Sequence, residues 1–306
     1  MNPQLLKRLL EQQGSQDVFS FLTEGLSLAD LNSLLLAVYQ KRTKALSPAA
    51  VLRNYQLNRL VQPVDVDEAD LVDFEQKMKQ VLPAFGMETV SFGPVAPLGS
   101  CSVVGEVDQN NVLTALRQTE VVSDVTNLLA LEIAWRKRAG ESGDIHLSAS
   151  HRHLRTQHYE QAGFTAHFRV LSLASAGRDR GGGRFELAAM TLHLEAYQHM
   201  LTKGLGLPEE HIRLFIRSQA ETDRYGLAAS LQERWPGLAW KAWKREDFSY
   251  YQGWQIGLSL RIGGEWFEVM DGGWVDWTQQ YLQNRKERLL ISGIGTEFLY
   301  RLMGQG

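Results

Sequence analysis

Residues Phe168–Met200 read FRVLSLASAGRDRGGGRFELAAMTLHLEAYQHM. The first eight are mostly apolar, with Ser172 and Ser175 interleaved, which is the pattern of a buried strand. Gly177-Arg178-Asp179-Arg180 follows, then Gly181-Gly182-Gly183-Arg184. Three consecutive glycines leave the backbone free to take positive φ and to approach a ligand closely. Arg178, Arg180 and Arg184 place three guanidinium groups around those bare amides. Phe185 to Met190 reads as a strand returning antiparallel, and Leu192 to Leu201 as a helix. Strand, cationic glycine loop and return strand together suit an anionic group. The same residues also suit a solvated hairpin turn whose arginines serve solubility.

Working outward toward the C-terminus, Ile212 to Ser218 reads as a strand. Tyr250 to Ile262 and Glu265 to Met270 read as two strands joined by Gly263-Gly264, a strong hairpin signal. Asp271-Gly272-Gly273 breaks the second of them. The segment ERLLISGIGTEFLYRLM, residues 287–303, reads as a buried strand, a Gly-x-Gly turn and a helix.

Toward the N-terminus, Ile145 to Leu154 alternates like a strand. It carries His151 and His153 on one face, with His158 nearby. Such a pair permits metal binding only with a third ligand and supporting hydrogen bonds, and a polar strand face is the simpler reading. Ser123 or Asp124 is the expected N-cap of a helix bearing Leu128, Leu129, Leu131, Ile133, Ala134 and Trp135. Cys101 sits in a short apolar run and reads as a small buried hydrophobe. Asp70 to Leu82 reads as a helix, and Met87 to Phe92 as a strand ended by Pro94 and Pro97.

Residues 1–60 read as helical. Leu5, Leu6, Leu9 and Leu10 fall at helical spacing, Ser27 caps a second helix, and Ser47-Pro48 opens a third. Lys7, Arg8, Lys41, Arg42, Lys44, Arg53 and Arg59 outnumber the acids there. They read as solvated helix faces, or as a weak RNA- or partner-facing surface. The expected organisation is a helical region over 1–65 and a main domain over 66–306.

The 306 residues, 44% apolar and 22% charged, are ordinary for a globular chain. A formal net charge of −3 offers no global field for nucleic acid. One cysteine excludes an internal disulfide and fits a reducing, cytoplasmic setting. The first residues lack the apolar core of a secretory signal, and no run reaches the ~18 apolar residues of a membrane span.

Ser292-Gly293-Ile294-Gly295-Thr296-Glu297-Phe298-Leu299 resembles the third signature motif of class II aminoacyl-tRNA synthetases, Gly-x-Gly-x-Glu-Arg-Leu at a strand-to-helix junction. The stretch 168–190 resembles the second motif, with Arg178 at the motif arginine and Phe185-Glu186-Leu187 on the return strand. Trp266-Phe267-Glu268-Val269 is similar to the strand before motif three. Leu116-Arg117-Gln118-Thr119-Glu120 is similar to the segment upstream of motif two, and Asp70–Phe92 to motif one. By order and spacing the phenylalanyl and pyrrolysyl enzymes are the closest subtype.

The resemblance implies an α+β fold, an antiparallel sheet of about six strands flanked by helices. It implies ATP and Mg2+ as cofactors and an amino acid or other small carboxylate as ligand. Arg178 would face the α-phosphate and Glu268 would hold the metal. Arg117, Glu120, Arg180, Arg184, Glu186, Glu297 and Phe298 would line the rest of the site, in a two-fold homodimer joined through residues 70–92.

Two departures stand out. Phe298 occupies the motif-three arginine position, and Arg180 the motif-two glutamate position. With no segment resembling an anticodon-binding domain, ordinary tRNA charging is not expected. Two functions follow. One is an ATP-dependent ligase that forms an adenylate without ordinary charging of tRNA. The other is a non-catalytic paralogue that senses an amino acid or nucleotide and regulates a protein partner.

Overall fold

A computed structural model of the chain describes residues 16–105, 107–157, 165–218, 223, 225–242 and 251–304. An eight-stranded sheet runs β1-β5-β6-β11-β10-β9-β7-β8. Its strands are β1 (Glu88–Thr89), β5 (Ile145–Leu154), β6 (His167–Arg178), β7 (Ile212–Ser218), β8 (Ala239–Ala242), β9 (Trp254–Ile262), β10 (Glu265–Val275) and β11 (Glu287–Ile294). The six inner strands are antiparallel throughout, and a short parallel strand closes each edge. A small separate sheet joins β2 (Val95–Pro97), β3 (Thr114–Ala115) and β4 (Thr119–Val121).

The helices are α1 (Gln16–Ser20), α2 (Leu28–Thr43), α3 (Pro48–Leu57), α4 (Glu68–Lys79), α5 (Val125–Arg138), α6 (Arg184–His199), α7 (Leu227–Arg234), α8 (Trp277–Leu282) and α9 (Thr296–Gly304). The expected caps form. Ser27 Oγ accepts from the Asp30 N–H, Ser47 Oγ from the Ala50 N–H, and Asp124 from the Thr126 N–H. Among the described residues no helix is long and apolar enough to cross a membrane.

Alternation along the strands splits the core in two. Leu171, Leu173, Leu290 and Ile294 point to one face and pack with α6 through Phe185, Met190, Leu194 and Tyr197. Ala174, Ala176, Leu289 and Ile291 point to the other and pack with Leu129 and Ile133 of α5. The α5 face carries the site described below, because α5 covers only part of it.

Three expectations need correction. Phe185 to Met190 is helix, not a return strand. Gly181, Gly182 and Gly183 take φ of +73°, +65° and +67°, and the turn feeds straight into α6. Phe185, Ala189, Met190, His193, Leu194 and Tyr197 are its buried stripe, at helical spacing. Leu, Ala, Met and Glu are strong helix formers, which the strand reading of FELAAM overlooked. Strand β6 instead pairs with β5 and β11.

Second, Asp271-Gly272-Gly273 does not break β10. A Cβ on Gly272 would fall 2.5 Å from the Ile291 carbonyl oxygen, and one on Gly273 2.5 Å from that of Trp254. These glycines permit close approach of neighbouring backbone rather than a turn. Third, of Met87 to Phe92 only Glu88 and Thr89 pair, and the ladder resumes beyond Pro94 as β2 in the other sheet.

Candidate functional site

A cavity of about 360 Å³ opens on the α5 face, where the N-terminus of α5 meets β6, β11, β10 and β9. Asp271 of β10 lies at its centre. Its cross-strand partners are Gly293 on one side and Gly257 on the other. The Phe215 ring lies across Gly257, and the Val170 and Ser172 side chains border Gly293. Tyr251 Oη donates to Asp271 Oδ2 at 3.1 Å, and Gln255 Nε2 donates to the same oxygen at 3.5 Å. Burial pushes the Asp271 carboxyl above the ordinary carboxylate range. The group still meets water through the cavity mouth, as the base of a concave site does.

The walls come from the hairpin β5–β6 and the start of α5. His153 Nε2 accepts the Val125 N–H at 3.0 Å, serving a backbone donor that the first turn of α5 leaves unsatisfied. Burial depresses the imidazole to about 3, so the ring is neutral. Because Nε2 accepts, Nδ1 carries the proton. Nδ1 is buried and has no hydrogen-bond partner among the described residues, and the same holds for Ser172 Oγ. Both residues line the cavity. Arg155 supplies the cation; its guanidinium stands 5.2 Å from the Phe168 ring centre, and Nε donates to the Ser123 carbonyl oxygen at 3.2 Å. Asp124, Thr126 and Glu268 complete the rim.

Of the nine ligand-site residues that the resemblance implied, Glu268 alone lines this cavity, and it is ion-paired with Arg217. Arg178 points to the same sheet face as Glu268 but sits beyond the far end of α5. There it pairs with Glu287 at 3.3 Å, beside Lys137, which pairs with the same carboxylate at 2.5 Å. With Arg180, held by Asp144, it lines a separate cavity of about 540 Å³. Arg184 turns back onto the carbonyls of Arg180 and Gly181. Glu186 Oε1 accepts from Arg288 Nε at 2.8 Å.

The remaining residues serve structure. Glu297 is 2% exposed and is held by Arg152 and by Arg301, each at 2.9 Å. Phe298 packs at the edge of the α6-face core. Arg117 lies in a positive-φ turn, and its N–H donates to Asn32 Oδ1 at 2.6 Å. Glu120 is fully buried and accepts from the Gly99 and Cys101 N–H groups and from Gln109 Nε2. Cys101 is likewise buried.

The single site drawn on Arg178, Arg184, Glu186, Glu268 and Glu297 is therefore dispersed, because 185–190 winds into α6 rather than running back along the sheet. The antiparallel pair beside the Gly293 strand is β5–β6. Arg155, just past β5, and Phe168 of β6 line the cavity. The sequence flagged His153 and Asp124 for other reasons, and it offered Asp271 only as a strand breaker.

The charge set does not suit a triphosphate. Asp124, Glu268 and Asp271 line the cavity against one guanidinium, Arg155. The histidine pair is also committed, His153 to α5 and His151 Nε2 to the Gly93 carbonyl at 3.0 Å. His158 lies outside the described residues, among which no group of three metal-ligating side chains occurs.

No family model matches the sequence, and no curated protein matches it. Solved structures do match the fold. An ATP phosphoribosyltransferase regulatory subunit/histidyl-tRNA synthetase from Bacillus halodurans C superposes with a TM-score of 0.60 at 13% identity, over 80% of this chain and 82% of that one. Apo histidyl-tRNA synthetase from S. aureus gives 0.58 at 11% identity, over 81% and 70%. Pyrrolysyl-tRNA synthetase from Desulfitobacterium hafniense gives 0.51 at 13% identity, over 83% and 74%. The six-stranded antiparallel centre, the strand-to-helix turn at Gly293–Gly295 and these superpositions agree: the chain has the class II aminoacyl-tRNA synthetase-like fold.

Proposed function

We propose that this chain is a non-catalytic member of that fold class that binds a free amino acid and acts as a regulatory protein. The carrying observation is the charge set of the cavity, whose lining joins the Asp271 carboxylate to one guanidinium, Arg155, and to His153, whose imidazole N–H has no partner among the described residues. An α-ammonium group would sit on Asp271, since Glu268 is paired with Arg217 and Asp124 with Arg155. A carboxylate would take the His153 Nδ1–H and Arg155. Such complementary placement orients a zwitterion by two charge-assisted contacts.

Adenylate formation asks for more. Negative charge grows on the phosphorus oxygens in the transition state, and preorganised cations must meet it. In this chain Arg178 and Arg180 belong to another cavity, Phe298 stands at the arginine position, and Arg152 and Arg301 are engaged by Glu297. One of the matching structures is named as a regulatory subunit, which supports the same reading by analogy. The reading places the site within 66–306 and treats 1–65 as a separate helical region.

Isothermal calorimetry with each standard amino acid, alone and with MgATP, tests the proposal. The expected result is saturable binding of one amino acid or a small group, without ATP and without pyrophosphate exchange. Amino-acid-dependent pyrophosphate exchange would overturn it in favour of the ligase.

A further inference from the structure

Helices α2 and α3 bury no residue, although their 26 positions are rich in leucine, valine and tyrosine. Among the described residues, 13 of the 21 large apolar side chains left exposed lie between Val18 and Val61. Leu57 is 80% exposed, Leu52 58%, Tyr39 56% and Val51 54%. The inner side of α2, with Leu31 and Leu35, faces Leu98 and Leu116 of the chain's own small sheet. The outer side, with Leu34 and Val38, and almost all of α3 face outward. Contiguous apolar exposure on this scale marks an interaction surface.

Charge identifies what covers it. Residues 28–64 hold five cations, Lys41, Arg42, Lys44, Arg53 and Arg59, against one acid, Asp30. The next nine residues, 65–73, hold five acids, Asp65, Asp67, Glu68, Asp70 and Asp73, and no cation. All five acids are exposed, although Glu68 pairs with Arg152 and Arg169, Asp73 with Lys77, Asp67 caps α4 and Asp70 accepts from Tyr300, and Val72 among them is 46% exposed. A basic apolar patch directly followed by an acidic one is self-complementary under a two-fold axis: each patch of one copy meets the opposite patch of the other. A nucleic acid would match the cations but neither the apolar side chains nor the adjoining acids.

We propose that α2, α3 and the start of α4 form an isologous contact with a second copy of this chain, basic helices of one copy against residues 65–73 of the other. This contact is independent of the ligand reading of the cavity. It is also distinct from a dimer made through residues 70–92 alone, because it requires the helices at 28–57.

The test is a charge swap in the full-length chain, read by sedimentation velocity at micromolar concentration. One variant carries Arg42→Glu and Arg53→Glu, the other Asp65→Lys and Asp73→Lys. All four side chains are exposed and none caps a helix, so circular dichroism and melting should match the parent. The parent is expected to dimerise, more weakly at high salt. Each variant alone should dissociate about tenfold or more readily, since like charges then oppose. An equimolar mixture should recover a heterodimer at near-parental affinity. A parent monomeric at tens of micromolar, a dimer indifferent to the arm variant, or a mixture that stays monomeric would each overturn the proposal. So would dissociation of the parent dimer on nuclease treatment, which would point to nucleic acid. None of these outcomes bears on amino-acid binding, which is measured separately by calorimetry.

Discussion

Replacing Asp271 by asparagine removes the charge on which the proposed ligand's ammonium rests and changes little else. The amide oxygen can still accept from Tyr251 and Gln255, and the two side chains have nearly the same shape. A hydrogen bond to a charged group contributes about 1.5–3 kcal/mol. At 1.4 kcal/mol per tenfold, affinity for the amino acid should fall by about 10- to 150-fold. Titration calorimetry at pH 7 measures it directly.

The pH dependence is a second readout. Burial raises the folded pKa of Asp271, so the unliganded carboxyl takes up its proton at a higher pH than usual. Wild-type affinity should therefore fall as pH drops through that raised value, while the Asp271→Asn profile stays flat. The stability effect has the opposite sense. Between the ordinary and the raised pKa the folded state binds more protons than the unfolded state, so unliganded stability declines as pH rises through that window. The variant lacks that decline and should melt at the same temperature as the parent or higher at pH 7. If Asp271→Asn bound the amino acid within about threefold of the parent, a change below the smallest contribution expected of such a bond, Asp271 would not hold the ligand.

Four further results are expected. Glu75→Ala should cost about 1–3 kcal/mol in urea denaturation, because it removes the carboxylate that Arg169 grips at 2.6 and 3.0 Å, while Glu68 still pairs with that guanidinium. Burial alone would raise the Glu75 pKa, but Arg169, Thr296 and Ser150 outweigh it and hold the carboxyl below its ordinary value. The stability it contributes is thus full above the unfolded carboxylate pKa and is lost as pH falls through the lowered one. Gly257→Ala should destabilise by about 1–3 kcal/mol and weaken ligand binding, since its Cβ would strike the Phe215 ring lying across that position. Cys101, pushed up to about 12 by burial, should resist thiol reagents at pH 8 in the native state and react on unfolding. Arg178→Ala should leave amino-acid affinity unchanged and stability within about 1 kcal/mol, as its side chain is mostly exposed and Glu287 keeps Lys137.

Strands β5, β7 and β9 and the Gly263-Gly264 hairpin were legible because alternation and turn chemistry are local signals. The Gly293–Gly295 turn before a helix was legible for the same reason. The return strand at 185–190 was misread because six residues rich in alanine, leucine and phenylalanine fit either period; only the continuation to Tyr197 reveals the 3.6-residue stripe. Much of the candidate site followed from that error. Arg178 and Glu268 do share a sheet face, as alternation requires. Lateral order within the sheet, and the helix lying over it, are non-local facts that a single sequence does not carry. Asp271 was hidden differently: two glycines after an acid suggest a turn, whereas their role here is contact with the neighbouring strands.

The buried grip on Glu297 has a consequence for how the last helix is held. This glutamate follows the Gly-x-Gly turn, and Arg152 and Arg301 hold it in place while the adjacent Thr296 donates to Glu75, itself held by Arg169. Four elements, α4, β5, β6 and α9, meet in that knot of charges. Removing Arg169 leaves the buried Glu75 without its countercharge. The last helix is thus fastened to the sheet by charge as well as by apolar packing, and should be among the slower segments to open in native-state hydrogen exchange although it is only nine residues long.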